Sequence, residues 1–323
     1  MPKTRIQLVL AVAALATATC ALPAAAVELP CSTAKFIIPW AAGGDTDIIM
    51  RGIAEAANKA GAKPQLQVIN IAGQGGTKGA KDVKDAAPDG CTLLALHDSA
   101  ITSYLTGRAD FTWDAFEPVA LIAHTPAIIG VSKQAPFNSL KELIEIAKKA
   151  PGTINTGATL GSTSHFFFIL LEDKANIRLK YVPYEGTRER MTALLANNIQ
   201  LGELNIIAAK QYLKEGSLRS FGIATEKRDP AIPDLPTLKE QGVDLQYAVN
   251  RGVVLPKGTK PEVIAYWEGV FAKAAKDPAL VKLLESQGTD VRYLNSKDYR
   301  AFWEKSFAEN KTAAVNLGIY KGN

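Results

Sequence analysis

Short apolar runs alternate along the chain with segments whose apolar positions recur at helical spacing. Phe36-Ile37-Ile38 has the density of a buried strand. After a glycine turn, Ile49, Ile53, Ala56, Ala57 and Ala60 mark one face of a helix. Leu66 to Asn70, Thr92 to Leu96 and Ala127 to Ser132 predict further strands. Ser139-x-x-Glu142 is a capping box opening a helix with Leu140, Leu143, Ile144 and Ala147 inward, and Pro151-Gly152 ends it.

The pattern then repeats. Thr153 to Ala158 predicts a strand, Thr159 to Ser164 a polar loop, and His165 to Lys174 a helix whose Phe166, Phe167 and Phe168 belong to a core. Strands follow at Leu179 to Pro183, Leu201 to Ile207 and Leu218 to Ala224. Thr259-x-x-Glu262 caps a helix through Val263, Trp267, Val270 and Phe271. Asp277-Pro278 begins another, which Gly288 ends, and Ser296 opens a last long helix carrying Tyr299, Phe302 and Trp303. This alternation predicts an α/β protein with mostly parallel sheet. The strand–glycine-loop–helix units at 36–60 and 153–174 predict two similar lobes rather than one continuous sheet.

Composition narrows the class. A chain of 323 residues, 47% apolar and 21% charged, is globular, not disordered or collagenous, and is long enough to bury a full core. Lys3 and Arg5 precede an apolar run from Ile6 to Ala18 and a small-residue site at Leu22-Pro23-Ala24-Ala25-Ala26. Residues 1–26 therefore predict a signal peptide cleaved near Ala26, and export to the periplasm. The run is shorter than the roughly 20 residues that span a bilayer. Losing that leader removes two basic residues and no acid from a formal charge of +5. No clustered basic face remains, so nucleic acid is not an expected partner. Cys31 and Cys91 are the cysteines beyond the leader; in an oxidising compartment they either form a disulfide or stay as two buried thiols. His97, His124 and His165 are scattered, so neither a metal site nor a cofactor is expected.

Two loops could carry chemistry. Trp40-Ala41-Ala42-Gly43-Gly44-Asp45 joins a strand to a helix, where glycines admit close approach and unpaired N–H groups face an anion. The plainer reading is a turn with Asp45 as helix cap. Trp40 either stacks on a ligand or is an ordinary half-buried aromatic. Thr159-Leu160-Gly161-Ser162-Thr163-Ser164 has the same architecture with more hydroxyls. Ser162 lies outside a GxSxG elbow, so a hydrolase built on Ser162 and His165 is the weaker reading. Gly73 to Gly79 lacks the Gly-Lys-Ser/Thr ending of a phosphate loop and reads as a turn.

In order and spacing, several landmarks resemble the TctC/Bug family, the periplasmic solute-binding receptors of tripartite tricarboxylate transporters. They are Pro39 with Ala42-Gly43-Gly44 and Asp47, Ala72-Gly73 with Gly75-Gly76 and Gly79, and Pro88-Asp89-Gly90-Cys91-Thr92-Leu93. Gly161-Ser162 with His165, Pro183-Tyr184 with Gly186, and Arg228 with Pro233-Asp234-Leu235-Pro236-Thr237, Glu240 and Gly242 complete the set. The resemblance implies a two-lobed Venus-flytrap fold with two mixed, mostly parallel sheets and two crossover connections. Lobe 1 would be 27–128 plus 250–323 and lobe 2 129–249, with the ligand cleft between them. It also implies a monomer without catalytic activity that carries a small organic carboxylate (a di- or tricarboxylate or an aromatic acid) to integral-membrane transporter components. A receptor reporting to a signalling kinase is the alternative. The implied ligand contacts are Trp40, Ala41, Ala42, Gly43, Gly44 and Asp45, then Ser99, Thr159, Gly161, Ser162 and Thr163, with Asn205 and Arg251 at the variable far end. Glu203 there would oppose a second carboxylate and Asn205 could donate to one. Asn250-Arg251-Gly252 departs from the commoner Trp-x-Gly of the family, and Arg251 either pairs a distal carboxylate or is a solvated surface arginine.

Overall fold

The computed structural model describes residues 27–322 apart from Glu185, so the expected leader at 1–26 lies outside the described residues. From the N-terminal end, β1 (Thr33–Ile38), α1 (Asp45–Lys59), β2 (Gln65–Asn70), α2 (Thr77–Lys84), β3 (Thr92–His97), α3 (Ser99–Leu105) and β4 (Phe116–Pro126) follow one another. Next come β5 (Ile128–Ser132), α4 (Leu140–Lys149), β6 (Asn155–Ala158), α5 (Thr163–Ala175), β7 (Lys180–Pro183) and α6 (Thr187–Leu195). β8 (Leu201–Leu204), α7 (Ile206–Lys214) and β9 (Leu218–Ile223) complete the middle of the chain. β10 (Ala248–Pro256), α8 (Pro261–Ala274), α9 (Pro278–Ser286), β11 (Asp290–Leu294) and α10 (Ser296–Asn316) end it.

Two sheets result, in the orders β11-β4-β10-β3-β1-β2 and β7-β6-β8-β5-β9. Each is more evenly mixed than the strand–helix alternation predicts. β1 runs parallel to β2 and β3, and β6 parallel to β7 and β8, as βαβ units require. The chain passes from the first sheet to the second between β4 and β5 and returns into β10. β10 and β5 run against both of their neighbours, which makes those pairings antiparallel. The first sheet is covered on one side by a cluster around Phe36, Ile49, Trp267 and Phe271, and on the other by Phe116, Tyr299 and Trp303. β10 lies so close under α10 that a Cβ at Gly252 would sit 2.6 Å from the Tyr299 ring. In the second sheet, Phe167 and Phe168 of α5 are core, as the sequence predicts; Phe166 instead packs with Tyr299 and Trp303 of the first.

Local signals explain most boundaries and two departures. Ser139 accepts from the Glu142 N–H at 3.1 Å, and Glu142 reaches back to the Asn138 N–H at 2.7 Å, so that capping box is built. The one expected at Thr259 is not. Pro261 takes the first helical position, its neighbour Lys260 is extended, and the Thr259 hydroxyl donates to the Pro256 carbonyl at 2.7 Å. The predicted strand from Leu201 to Ile207 stops at Leu204, because the Asn205 side chain accepts from the Ala208 N–H and starts α7.

Cys31 and Cys91 are bonded to each other, tying the segment before β1 to the start of β3 across a sequence separation of 60. Closing a loop of that size restricts the unfolded chain and stabilises the fold by about 2–4 kcal/mol. Reduction is therefore expected to lower the melting temperature and leave the far-ultraviolet spectrum at room temperature unchanged. A melt identical with and without reductant would contradict this.

Candidate functional site

β1 delivers Pro39 and Trp40 to the loop before α1, and Gly43, with φ +77°, turns the chain into that helix. Asp45 is not the cap: Gly44 is, and Asp45 is the first helical residue. The first turn also holds Asp47, which accepts from the Gly43 N–H (2.9 Å), Arg51 (2.7 Å) and Asn70 (2.8 Å). Burial alone would raise the Asp47 carboxyl, but these donors outweigh it and hold the group below its usual range. The first loop thus has two N–H groups already engaged, Gly43 with Asp47 and Gly44 with the Ala41 carbonyl at 3.4 Å, and two carboxylates beside it. Ala41, Ala42, Gly43 and Gly44 are exposed. Trp40 lays one face on His97, with ring centroids 4.7 Å apart, and its buried Nε1 has no partner. Burial, then the Arg251 charge, pushes His97 down to about 3, so its ring is neutral; Nδ1 accepts the Ser99 N–H at 3.1 Å.

The second loop differs. Ser162 caps α5 in an extended conformation, and no acid stands in the helix's first turn. Its N-terminal N–H groups therefore face no acid of their own helix and can meet an anion. The Thr159 N–H donates to Ser164 Oγ at 3.0 Å, and Ser162 Oγ lies 3.2 Å from Ser164 Oγ. The hydrolase pair is not formed: His165 Nδ1 accepts the Gly161 N–H at 3.2 Å instead of meeting Ser162. Burial, then the Arg108 charge, pushes His165 down to about 4.

The two halves touch directly. Asn205 Nδ2 donates to Asp45 Oδ2 at 2.8 Å across 160 residues of sequence. Thr102 and Ser103 of α3 donate to the Gly161 carbonyl at 2.8 and 3.2 Å. Gly161 has φ +80°, and a Cβ there would lie 2.2 Å from Arg108 Cδ, so this position requires glycine.

Arg251 is not a surface arginine. On β10 it is 5% exposed, with Nε donating to Thr46 Oγ1 (3.1 Å) and Nη1 to Thr125 Oγ1 (2.6 Å). Among the described residues it makes no ion pair, and Nη2 makes no hydrogen bond. A second buried arginine, Arg190 of α6, escapes sequence reasoning. It pairs with Glu203 at 2.8 Å and donates to Thr159 Oγ1 at 3.2 Å. Burial raises the Glu203 carboxyl, against the pull of Arg190 and together with Asp45. Only the alternation of Arg190 with apolar Met191 and Leu194 along α6 could have marked it as inward.

Arg251 and Asn250 point to opposite sides of β10, as successive strand residues do. Behind Asn250, between α10 and α5, lies a cavity of about 1050 Å³ with Asp98 and His124 in its lining; none of the predicted ligand residues lines it. Asp98 Oδ2 accepts from the Asn250 N–H (2.9 Å) and Nδ2 (3.0 Å), while buried Oδ1 has no partner. Burial pushes Asp98 up to about 6, against those donors. A carboxyl raised above its unfolded value contributes stability below about pH 4 that is lost as pH rises through 6, about 3 kcal/mol for this shift. Asp98→Asn is expected to match the wild-type melting temperature near pH 4 and exceed it above pH 6. Parallel pH profiles for the two proteins would show that Asp98 does not titrate there.

A family model described as the tripartite tricarboxylate transporter family receptor, TctC, matches residues 49–319. The UPF0065 protein in the gbd 5' region of Cupriavidus necator is 30% identical over 321 residues, covering 96% of this chain and 97% of that one. MatC from Rhodopseudomonas palustris, solved with bound malate, superposes with a TM-score of 0.77 at 27% identity, covering 87% of this chain and 98% of that one. A second R. palustris protein, solved with adipate, gives 0.79 at 26% identity, with 89% and 98% covered.

Proposed function

Because the chain belongs to the tripartite tricarboxylate transporter receptor family, the TctC-type periplasmic solute-binding proteins, we propose that it captures a small organic carboxylate between its lobes and delivers it to the membrane components of such a transporter. Like other members of the family it is a substrate-binding protein and not an enzyme. No helix among the described residues is long and apolar enough to cross a membrane; in this reading the transport step belongs to the membrane components. Malate and adipate in the related structures are both dicarboxylates, which supports that ligand class.

The observation that carries the reading is Arg251, a buried guanidinium whose partners are neutral oxygens only. A carboxylate on its free edge gains a charge-assisted bond in a site already desolvated. The acid-free start of α5, at Thr159 to Thr163, would take the other end of the ligand. The moving bodies would be 27–128 with 250–323, and 129–249, hinged at the β4–β5 passage and the return into β10. A ligand touching both favours the closed arrangement, in which Asp45 meets Asn205, and shifts the population towards it.

A thermal-shift panel of the exported form against mono-, di- and tricarboxylates and aromatic acids tests this. A ligand at 100 times its Kd adds about 2.7 kcal/mol, readily seen as a raised Tm. A shift with acids supports the reading. A shift with sugars or simple amines and none with acids would contradict it.

A further inference from the structure

We propose that the cavity behind β10 is a second binding site, separate from the carboxylate cleft, and that it takes a small organic ammonium ion. Arg251 faces the other side of the strand, and none of the predicted ligand residues lines this space. Its floor is β10 at Ala248 and Asn250, and its walls are α5 and α10. Its volume of about 1050 Å³ is ample for an organic ligand. Leu170, Tyr247 and Phe302 give it half-buried apolar sides, whereas Asp244 and Glu309 of the same lining are exposed, so the space opens to solvent.

Two buried side chains in the lining point to a guest that donates hydrogen bonds. Asp98 is 5% exposed and Asn310 6%, and Oδ1 of each is buried without a hydrogen-bond partner among the described residues. Both orphaned atoms are acceptors. The amide donors beside them are spent: Asn250 Nδ2 on Asp98 Oδ2 (3.0 Å) and the Ala248 carbonyl (3.2 Å), Asn310 Nδ2 on the Ser306 carbonyl (2.7 Å) and hydroxyl (3.2 Å). A buried acceptor left unpaired costs free energy that a donor restores. An ammonium group offers donors and no acceptor, and a carboxylate the reverse. Charge agrees. Six carboxylates line the cavity against Lys174, Arg292 and Lys305, and Lys305 already lies 3.8 Å from Glu309. An anion there would meet a surplus of its own sign, and a cation a surplus of the opposite one. Among the described residues no three His, Cys, Asp or Glu side chains converge as metal ligands, which favours an organic cation over a metal ion.

Titration calorimetry tests this with 2-phenylethylamine against 2-phenylethanol and putrescine against 1,4-butanediol, pairs that exchange ammonium for hydroxyl. In at least one pair the amine is expected to bind roughly tenfold or more tightly than its alcohol, as a charge-assisted hydrogen bond would give. Asp98→Asn removes the charge and sets a donor where an acceptor is needed. It should abolish the preference, with a melting curve to show that the variant is folded, while Arg251→Met should keep it. Equal binding of amine and alcohol in both pairs, or binding of neither amine, overturns the proposal. A preference that survives Asp98→Asn, or is lost in Arg251→Met, also overturns it, because the amine then sits outside this cavity. None of these outcomes touches the carboxylate reading, which stands or falls on the panel of acids.

Discussion

Replacing Arg190 with alanine is expected to destabilise the protein by about 3–5 kcal/mol at pH 7, the usual cost of stranding one member of a buried ion pair. The Arg190 and Glu203 side chains are 3% and 9% exposed, so water cannot replace the lost partner. Arg190 also donates to the Glu203 carbonyl, Thr187 and Thr159, so its removal loosens the loop before α5. Glu203 already sits above its ordinary value through burial, and losing Arg190 raises it further. A carboxyl raised in the folded state is stabilising while protonated, and that contribution is lost as pH rises through its folded value. The deficit of Arg190→Ala should therefore shrink as pH falls towards 5. Replacing both partners with methionine should recover most of the loss. Denaturant unfolding at pH 5 and 7 measures all three, and a wild-type midpoint for Arg190→Ala would contradict the account.

Arg251→Met should leave the fold largely intact and weaken ligand capture by about 2–5 kcal/mol, a loss of roughly 30-fold or more. Methionine fills much of the same space, and the Thr46 and Thr125 hydroxyls can turn to other acceptors; Thr125 Oγ1 already lies 2.8 Å from Thr289 Oγ1. What disappears is the buried positive charge. Arg251→Lys should fall between the two, since an ammonium restores charge without the planar fork. Titration of the best acid from the panel decides it. Unchanged affinity in Arg251→Met would mean that the guanidinium serves only the threonines around it.

How far the chain could be read depended on whether the signal was local. Strands β1 and β3, the Ser139–Glu142 box and the Asp277-Pro278 start follow from short sequence patterns, and each forms. Strands β4 and β10 carry no such pattern. Both are buried nearly throughout, and a strand covered on two faces shows no alternation. The short helix α7 hid inside an apolar stretch, because one asparagine turned a strand into a capped helix. At the site, both loops were legible from glycines and hydroxyls beside apolar runs. Their chemical asymmetry was not. It arises from Asp45 meeting Asn205 and from Glu203 meeting Arg190, contacts that join different elements and leave no mark in either segment alone.

A crystal structure with the tightest-binding acid of the panel shows directly where the carboxylate sits. That carboxylate is expected between the halves, within hydrogen-bonding distance of Arg251 Nη2 or of the first-turn N–H groups of α5 at Thr163 and Ser164. An acid seated instead behind β10, in the cavity between α10 and α5 beside Asp98, would contradict it.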